Sequence, residues 1–445
     1  MLLRELRRLT HNHALEQDLT WTKDSRHIYF LVDYGSTEGP YQDNQRRLYW
    51  IDADTGEGQR WAGEFEGAVI RYAELPDGRA LATGRLGTEV QLFTQENPKS
   101  VFAKQPGWAG TYEMASPAKS SQRLAFAYSS FDRPTEVYLG DAPDKLDQAR
   151  PITAFNKLFP EGDLPRGKTY RWKSEDGTTV EGILMYPPGK FETKNPPLLT
   201  LIHGGPNDAD GNHFEADWYQ WDRLAATNGW LVFEPNYRGS TGYGDKFILG
   251  IIHEIVSRPG KDILAGVDAL VKDGIADPDH ETIGGYSYGG YMTNWLITQT
   301  TRFKAAVTSA GAVEHVANWG NDDTVLDDAY FLGGHAWEAP KRYGRRLTSS
   351  RVPKTCAWRP SKPTCSSVHY TRSVSPLRCW FSKEKTTHSR RIPGMAKSKS
   401  GRSCAGCRST LESEPHLEER KGHQRITRSL FSSRISFWSA VTAFS

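Results

Sequence analysis

Two patterns of apolar and polar residues divide the chain before residue 340. In residues 1–165, short apolar segments that contain aromatic residues alternate with polar turns, which is typical of antiparallel strands. From residue 198, short apolar runs alternate with amphipathic segments, which favours a parallel sheet covered by helices on both faces. After residue 340 the periodicity is weak. The pattern therefore predicts a β-rich region, an α/β region and a third segment of different character.

The N-terminal region contains a loose repeat of about 40–50 residues, which is the period of propeller blades. Each copy has an aromatic strand, a polar turn, an apolar strand and one further strand. The copies begin with residues 19–30, 72–82 and 112–127, and their further strands are residues 47–51, 89–93 and 136–139. Because closed propellers have roughly four to eight blades, these three predict a partial β-propeller. An ordinary β-sandwich is the alternative.

The α/β region begins with a predicted hairpin at residues 169–186. Its further predicted strands are residues 198–202, 230–235, 281–284 and 305–308, and its predicted helices are residues 218–228 and 263–271. Sites in such sheets form beyond the carboxyl ends of the strands. His203, Asn236 and Ser287 all follow predicted strand ends, so we expect them near one edge of the sheet.

The central motif is G-x-S-x-G, formed by Gly285, Ser287 and Gly289 between predicted strand 281–284 and predicted helix 291–297. A strand, a sharp turn and a helix around this motif predict a nucleophile elbow. A serine hydroxyl is a weak nucleophile and must project towards a base, and glycines lack the Cβ atoms that would collide in so tight a turn. The helix directs N–H groups at a developing oxyanion. A glycine-rich turn with an idle serine is the alternative.

Three segments together resemble a known family. They are His-Gly-Gly-Pro at residues 203–206, Pro-Asn-Tyr-Arg-Gly-Ser-Thr-Gly-Tyr-Gly at residues 235–244, and Gly-Tyr-Ser-Tyr-Gly-Gly-Tyr-Met at residues 285–292. Their order and spacing resemble the prolyl oligopeptidase family of serine peptidases, in its acylaminoacyl-peptidase-like branch, over about residues 166–340. That resemblance implies an α/β-hydrolase domain preceded by a β-propeller, which agrees with the blade-like repeat.

The resemblance implies that Ser287 is the nucleophile of an acyl-enzyme reaction on peptides or acyl-peptides. It implies an oxyanion hole made by the backbone N–H of Tyr288 and a backbone N–H of His203 or Gly204, while the His203 imidazole only packs or hydrogen-bonds nearby. Arg238 is expected to have a structural role. No metal, organic cofactor, nucleic acid or membrane is implied, and the oligomeric state is left open.

The acid and the base of a catalytic triad are not identifiable. In α/β-hydrolases an Asp or Glu and then a His follow the serine, but no Asp follows Asp328. His315 and His335 come too early for the base that the resemblance implies. The remaining candidates lie in a loop-like stretch or in the third segment: Asp322, Asp323, Asp327, His369, His388, His416 and His423. We therefore expect impaired activity. An inactive remnant, a propeller-based binding protein and an esterase are the alternatives.

The third segment differs in composition from the rest of the chain. Residues 341–445 contain 23 Lys and Arg, 5 Glu, no Asp and 20 Ser, whereas residues 1–340 contain 33 Lys and Arg against 48 Asp and Glu. All five cysteines lie there, and one Cys404–Cys407 C-x-x-C pair lacks suitably spaced zinc ligands. The segment is strongly basic, but it contains no known nucleic-acid-binding motif. We interpret the segment as a translation in a shifted reading frame. The nucleotide sequence around codons 335–350 would test this interpretation.

These observations predict three regions: a partial propeller at residues 1–165, an incomplete α/β-hydrolase domain at residues 166–345, and a disordered basic tail at residues 346–445. No secretory signal and no apolar run of roughly 20 residues is visible, so a cytoplasmic location is expected. Met1 falls almost directly into a blade-like segment, and we therefore expect earlier blades to be missing.

Overall fold

The computed structural model describes most of the chain before residue 335. Its described residues are 7–10, 15–33, 44–157, 159, 164–214, 221–313, 315, 325–334, 337–338, 368–371 and 378–380. The chain divides into two compact units, Met1–Lys383 and Glu384–Ser445, and all described residues lie in the first. The predicted tail falls outside the described residues except for two short strands. Its predicted disorder and reading-frame change stay predictions.

Three antiparallel sets of four strands follow one another in the N-terminal region, and the second and third sets belong to one eight-stranded sheet. The first contains β1 (Glu16–Trp21), β2 (His27–Val32), β3 (Arg47–Asp52) and β4 (Gly58–Arg60). The second contains β5 (Ala68–Glu74), β6 (Ala80–Leu86), β7 (Glu89–Gln95) and β8 (Ala103–Lys104). The third contains β9 (Thr111–Pro117), β10 (Leu124–Ser130), β11 (Arg133–Gly140) and β12 (Arg150–Pro151), with a 3-10 helix at Pro143–Gln148. A single parallel residue pair, Val90 with Thr111, joins the second set to the third.

Apolar cores with many aromatic rings lie between successive sets of strands. Tyr29 and Trp61 contact each other at a ring-centroid distance of 5.3 Å and pack with Val69 of the second set. Leu92 of the second set packs with Tyr112 of the third. Sheets that stack on one another through such faces are typical of propeller blades.

The α/β region is built on one mixed sheet with the strand order β13-β14-β16-β15-β17-β18-β19-β20. The four central strands are parallel and the outer pairs are antiparallel. The strands are β13 (Arg166–Lys173), β14 (Thr179–Tyr186), β15 (Leu198–Ile202), β16 (Leu231–Asn236), β17 (Glu281–Tyr286), β18 (Ala305–Ser309), β19 (Val368–Thr371) and β20 (Arg378–Trp380). The predicted fold class, an α/β-hydrolase sheet preceded by a partial propeller, is confirmed.

Helices cover both faces of this sheet. They are α1 (Asp222–Thr227), α2 (Asp245–Leu249), α3 (Ser257–Lys272), α4 (Tyr288–Gln299) and α5 (Val325–Leu332). Helices α3 and α4 bury Ile263 and Met292 against Ile283 of β17, whereas Ala226 of α1 packs on the opposite face. In the described part of the chain, no helix is long and apolar enough to cross a membrane.

The helix α3 begins six residues earlier than the apolar pattern predicts. The pattern suggested a start at Ile263 with Asp262 near the N-terminus, but the helix starts at Ser257. Pro259 is tolerated because the first turn of a helix needs no intrahelical N–H donors. Gly260 lies against Trp295 of α4, where a Cβ atom would come closer than 3.0 Å to the indole ring. The early start of α3 thus involves close packing against α4, which the apolar pattern of a single helix does not reveal.

A buried ion pair fixes α3 to the loop that follows β16. The Arg238 guanidinium donates to both carboxylate oxygens of Asp262, from Nε at 2.9 Å and from Nη2 at 2.7 Å, and the Arg238 backbone N–H donates to the same carboxylate at 3.0 Å. Ser174 of the β13–β14 turn donates to Asp262 at 2.6 Å, and Arg238 also pairs with Asp176. Asp262 is fully buried. The structural role predicted for Arg238 is confirmed.

We expect Arg238→Met to lower the free energy of unfolding by about 3–5 kcal/mol, because it leaves the Asp262 carboxylate buried without its cation. Urea unfolding followed by tryptophan fluorescence measures the change. The matched control is Lys261→Met, which removes the neighbouring exposed ion pair between Lys261 and Glu175 and should change stability by less than about 1 kcal/mol. Equal losses in the two variants would contradict the buried-pair argument.

Candidate active site

Ser287 occupies the sharp turn between β17 and α4, where the sequence motif predicts it. The strand ends at Tyr286, the helix begins at Tyr288, and Ser287 between them has φ 55° and ψ −124°. A positive φ is uncommon for a residue with a Cβ atom, and such strain clusters at functional sites. The Ser287 N–H donates to the Ser309 carbonyl of β18 at 3.0 Å, which holds the turn in place.

The two glycines of the motif are required by close backbone packing. A Cβ atom on Gly289 would come closer than 3.0 Å to the carbonyl oxygens of Ile202 and His203 at the end of β15. A Cβ atom on Gly285 would come as close to the backbone of Gly289 itself. The first turn of α4 therefore lies directly on the end of β15, and only glycine permits this contact.

The loop after β15 lies beside Ser287. Strands β15 and β17 are parallel neighbours in which Ile202 pairs with Gly285, so both chains leave the sheet at the same edge. A Cβ atom placed on Gly204 would be 3.6 Å from the Ser287 Cβ, an ordinary van der Waals distance. Tyr288 is the first residue of α4, where helical N–H groups have no intrahelical acceptor. The predicted closeness of loop and serine is thus observed, and the oxyanion role of Tyr288, His203 and Gly204 stays a prediction.

The imidazole of His203 is held in a buried hydrogen-bond network. Its Nδ1 lies 2.8 Å from the Gly204 carbonyl, and because a carbonyl only accepts, Nδ1 carries the proton. The Tyr237 hydroxyl donates to the His203 carbonyl at 2.8 Å, and its ring stacks on the imidazole at 4.3 Å. The Ser240 hydroxyl lies 2.9 Å from Nε2. The imidazole therefore packs and hydrogen-bonds, as the sequence analysis favoured, and shapes the loop.

Burial keeps these groups uncharged. It lowers the pKa of His203 below its usual range, despite the opposing charge of Asp208. Burial likewise raises the pKa of Tyr237 and the pKa of Tyr288 well above the usual value. The imidazole of His203 is therefore neutral in the folded protein at neutral pH.

A cavity of about 250 Å³ opens next to Ser287. Its walls include the His203–Gly204–Gly205 backbone, Tyr286 and three carboxylate residues that the sequence analysis did not single out: Asp208, Asp210 and Glu234. Asp210 and Glu234 are buried. Only the position of Asp208 and Asp210 a few residues after the loop motif could have indicated them. Glu234 stands in an apolar strand and gave no separate signal.

The base and acid of a triad are not found among the residues that the structure describes. No hydrogen bond there joins the Ser287 hydroxyl to a histidine. The His315 ring packs against Tyr291 of α4 at 4.9 Å, and His369 lies in β19. Asp327 and Asp328 lie in α5. The other candidates fall outside the described residues: Asp322, Asp323, His335, His388, His416 and His423.

The chain is similar in sequence to known peptidases. Residues 217–364 match the model of the prolyl oligopeptidase family. The chain is 34% identical over 202 residues to the uncharacterized peptidase YuxL of Bacillus subtilis, covering 45% of this chain and 29% of the relative. It is 32% identical over 319 residues to dipeptidyl-peptidase 5 of Trichophyton schoenleinii, covering 68% of this chain and 42% of the relative.

A solved structure shows the same fold. The acylaminoacyl peptidase of Pyrococcus horikoshii superposes with a TM-score of 0.60 and 25% identity, covering 72% of this chain and 49% of that one. The chain therefore spans less than half the length of these relatives.

We expect Gly289→Ala to lower the free energy of unfolding by about 3 kcal/mol or more, because the new methyl group meets a strand carbonyl that cannot move aside. The matched control is Gly63→Ala, at an exposed glycine with open space around it, which should stay within about 0.5 kcal/mol of the wild type. Thermal and urea unfolding give both values. A Gly289→Ala protein as stable as the control would show that α4 does not lie on β15.

We expect stability to depend on the charge state of His203. Because its folded pKa is lowered, the unfolded chain takes up a proton near pH 6.5 that the native protein does not, so stability falls as the pH drops below about 6.5. The contribution reaches at most about 1.4 kcal/mol per pH unit. Urea unfolding of wild type and His203→Asn between about pH 7.5 and 5.5 isolates it, because the other histidines contribute equally. Parallel curves for the two proteins would disprove the buried neutral state.

Proposed function

Because the chain belongs to the prolyl oligopeptidase family, we propose that it is a serine peptidase that hydrolyses peptides or acyl-peptides through an acyl-enzyme on Ser287. The observation that carries the proposal is the strained Ser287 at the strand–helix turn, with Gly204 of the neighbouring loop beside it. The three blades before the α/β sheet support a peptidase over an esterase, because a propeller restricts access by large substrates.

The proposed reaction begins when the Ser287 oxygen forms a bond to the substrate carbonyl carbon and its proton passes to a base. The carbonyl oxygen becomes an oxyanion that the N–H of Tyr288 and an N–H of His203 or Gly204 stabilise. Each such donor is worth on the order of 3 kcal/mol of barrier in related hydrolases. The C–N bond then breaks, the proton goes to the leaving amine, and water releases the acyl group from Ser287.

We further propose that this chain catalyses the reaction poorly. No Asp follows Asp328, and no described histidine is hydrogen-bonded to Ser287. Binding and oxyanion stabilisation then supply the remaining rate. The loss of triad members reduces the rate of a hydrolase by on the order of 10⁴–10⁶. A catalytically inactive protein that keeps the fold is the second candidate, favoured by the same observation.

We expect the purified full chain to release p-nitroaniline only slowly from acyl-amino-acid and peptide anilides. A chain translated in the frame that restores an Asp and a His after residue 340 should be faster by on the order of 10⁴–10⁶. In that frame-restored chain, Ser287→Ala should remove the gain in rate, whereas Ser257→Ala, at a serine of α3, should leave it unchanged.

Each outcome of this assay separates the candidates. Equal rates for the frame-restored chain and its Ser287→Ala variant would refute the nucleophile assignment. Equal rates for the wild type and the frame-restored chain would refute the missing-triad argument. Cleavage of p-nitrophenyl esters without cleavage of anilides would point to the esterase alternative.

A further inference from the structure

The loop that leaves β15 runs from the candidate active site to the propeller blades. Its first residues, His203 and Gly204, lie beside Ser287, and its next residues line the cavity. Further on, the loop reaches Asn212, a buried residue at the ends of the second and third blades. The loop therefore connects the reaction centre to two blades over nine residues of chain.

All four polar groups of Asn212 are bound by the blades. Its backbone N–H donates to the Thr88 carbonyl at 2.7 Å, and its carbonyl accepts from the Thr111 hydroxyl at 3.0 Å. Its side-chain Nδ2 donates to Glu89 Oε1 at 2.9 Å, and its Oδ1 accepts from the Phe131 N–H at 2.8 Å. Thr88 and Glu89 belong to the second blade, whereas Thr111 and Phe131 belong to the third. One side chain thus joins two blades and the loop.

A second asparagine fixes the other part of the loop from the hydrolase side. The Asn236 side chain at the end of β16 accepts from the Asp210 N–H at 2.8 Å and donates to the Asp210 carbonyl at 2.9 Å. Gly211 lies in the chain between Asp210, which Asn236 binds, and Asn212. A Cβ atom on Gly211 would come within 2.9 Å of the Thr88 carbonyl oxygen. The loop is held at both sides and has no room to shift towards the blades.

We propose that Asn212 is a positioning residue, which acts through the loop to hold the His203–Gly204 backbone and the cavity wall in place beside Ser287. This proposal rests on the proposed function of Ser287. The blades then contribute to the reaction centre directly, through hydrogen bonds to the loop that carries the oxyanion donors. Asn212 itself touches neither the substrate nor the reacting atoms.

The pair of Asn212 and Glu89 allows a test by exchange of the hydrogen-bond partners. In Asn212→Asp, a carboxylate faces the Glu89 carboxylate at hydrogen-bonding distance, and the two repel each other. In the double variant Asn212→Asp with Glu89→Gln, the new amide donates to the new carboxylate, and the Phe131 and Gly110 N–H groups keep their acceptors. The double variant restores the contact with the chemical groups reversed.

Two measurements on the full chain test whether the loop of residues 203–211 keeps its position. Hydrogen exchange measures the protection of backbone amides in residues 203–211, and a fluorophosphonate probe measures the rate at which Ser287 is phosphonylated. Asn212→Asp should speed the exchange and slow the labelling by roughly tenfold or more, because buried groups lose their partners. The double variant should bring both values back to near those of the wild type.

The matched control is Thr169→Val, which removes a different hydrogen bond between propeller and hydrolase, that of Thr169 to the Thr88 hydroxyl at 3.0 Å. It should change neither value. The proposal is overturned if Asn212→Asp exchanges and labels like the wild type, or if the double variant is no better than the single one. A wild type that is not labelled, like Ser287→Ala, agrees with the missing base, and hydrogen exchange then decides the role of Asn212: unchanged exchange in Asn212→Asp overturns the proposal.

Discussion

The contact of Gly289 with the carbonyl end of β15 is the constraint on which the candidate site depends. It brings the first turn of α4 onto the strand that precedes the His203–Gly204 loop. Because β15 and β17 are adjacent and parallel, the serine and the loop leave the sheet at one edge. The same turn is closed on its other side by Gly290, which lies equally close to the Ser309 carbonyl of β18. Three strands and one helix thus meet through backbone atoms, with no side chain between them.

The parts of the site that could be predicted from sequence are local. The strand, the turn and the helix around Ser287 lie within about twenty residues, so turn chemistry and apolar periodicity suffice to indicate them. The environment of His203 could not be derived in this way. Its partners Tyr237 and Ser240 are 34 and 37 residues away, and only the folded sheet brings them together. Glu234 of the cavity could not be identified either, since it is one polar residue in an apolar strand.

Hydrogen bonds and ion pairs of specific geometry join the blades to the α/β region. Arg47 pairs with Asp245 at 3.1 Å, and Gln45 accepts from the Gly242 N–H at 2.6 Å. Apolar contacts stabilise an interface over a range of orientations, whereas hydrogen bonds between buried groups require one arrangement. An interface of this composition is suited to orienting the loop that it binds.

The hydrogen bonds of Asn212 also have a consequence for the order of folding. Its partners Glu89, Thr111 and Phe131 precede it by 123, 101 and 81 residues. Contacts between residues so distant in sequence form late, because the intervening chain must lose its conformational freedom first. The loop beside the elbow is therefore expected to reach its final path only after the two blades have docked. We therefore expect the reaction centre to be complete only once the blades and the α/β sheet have assembled.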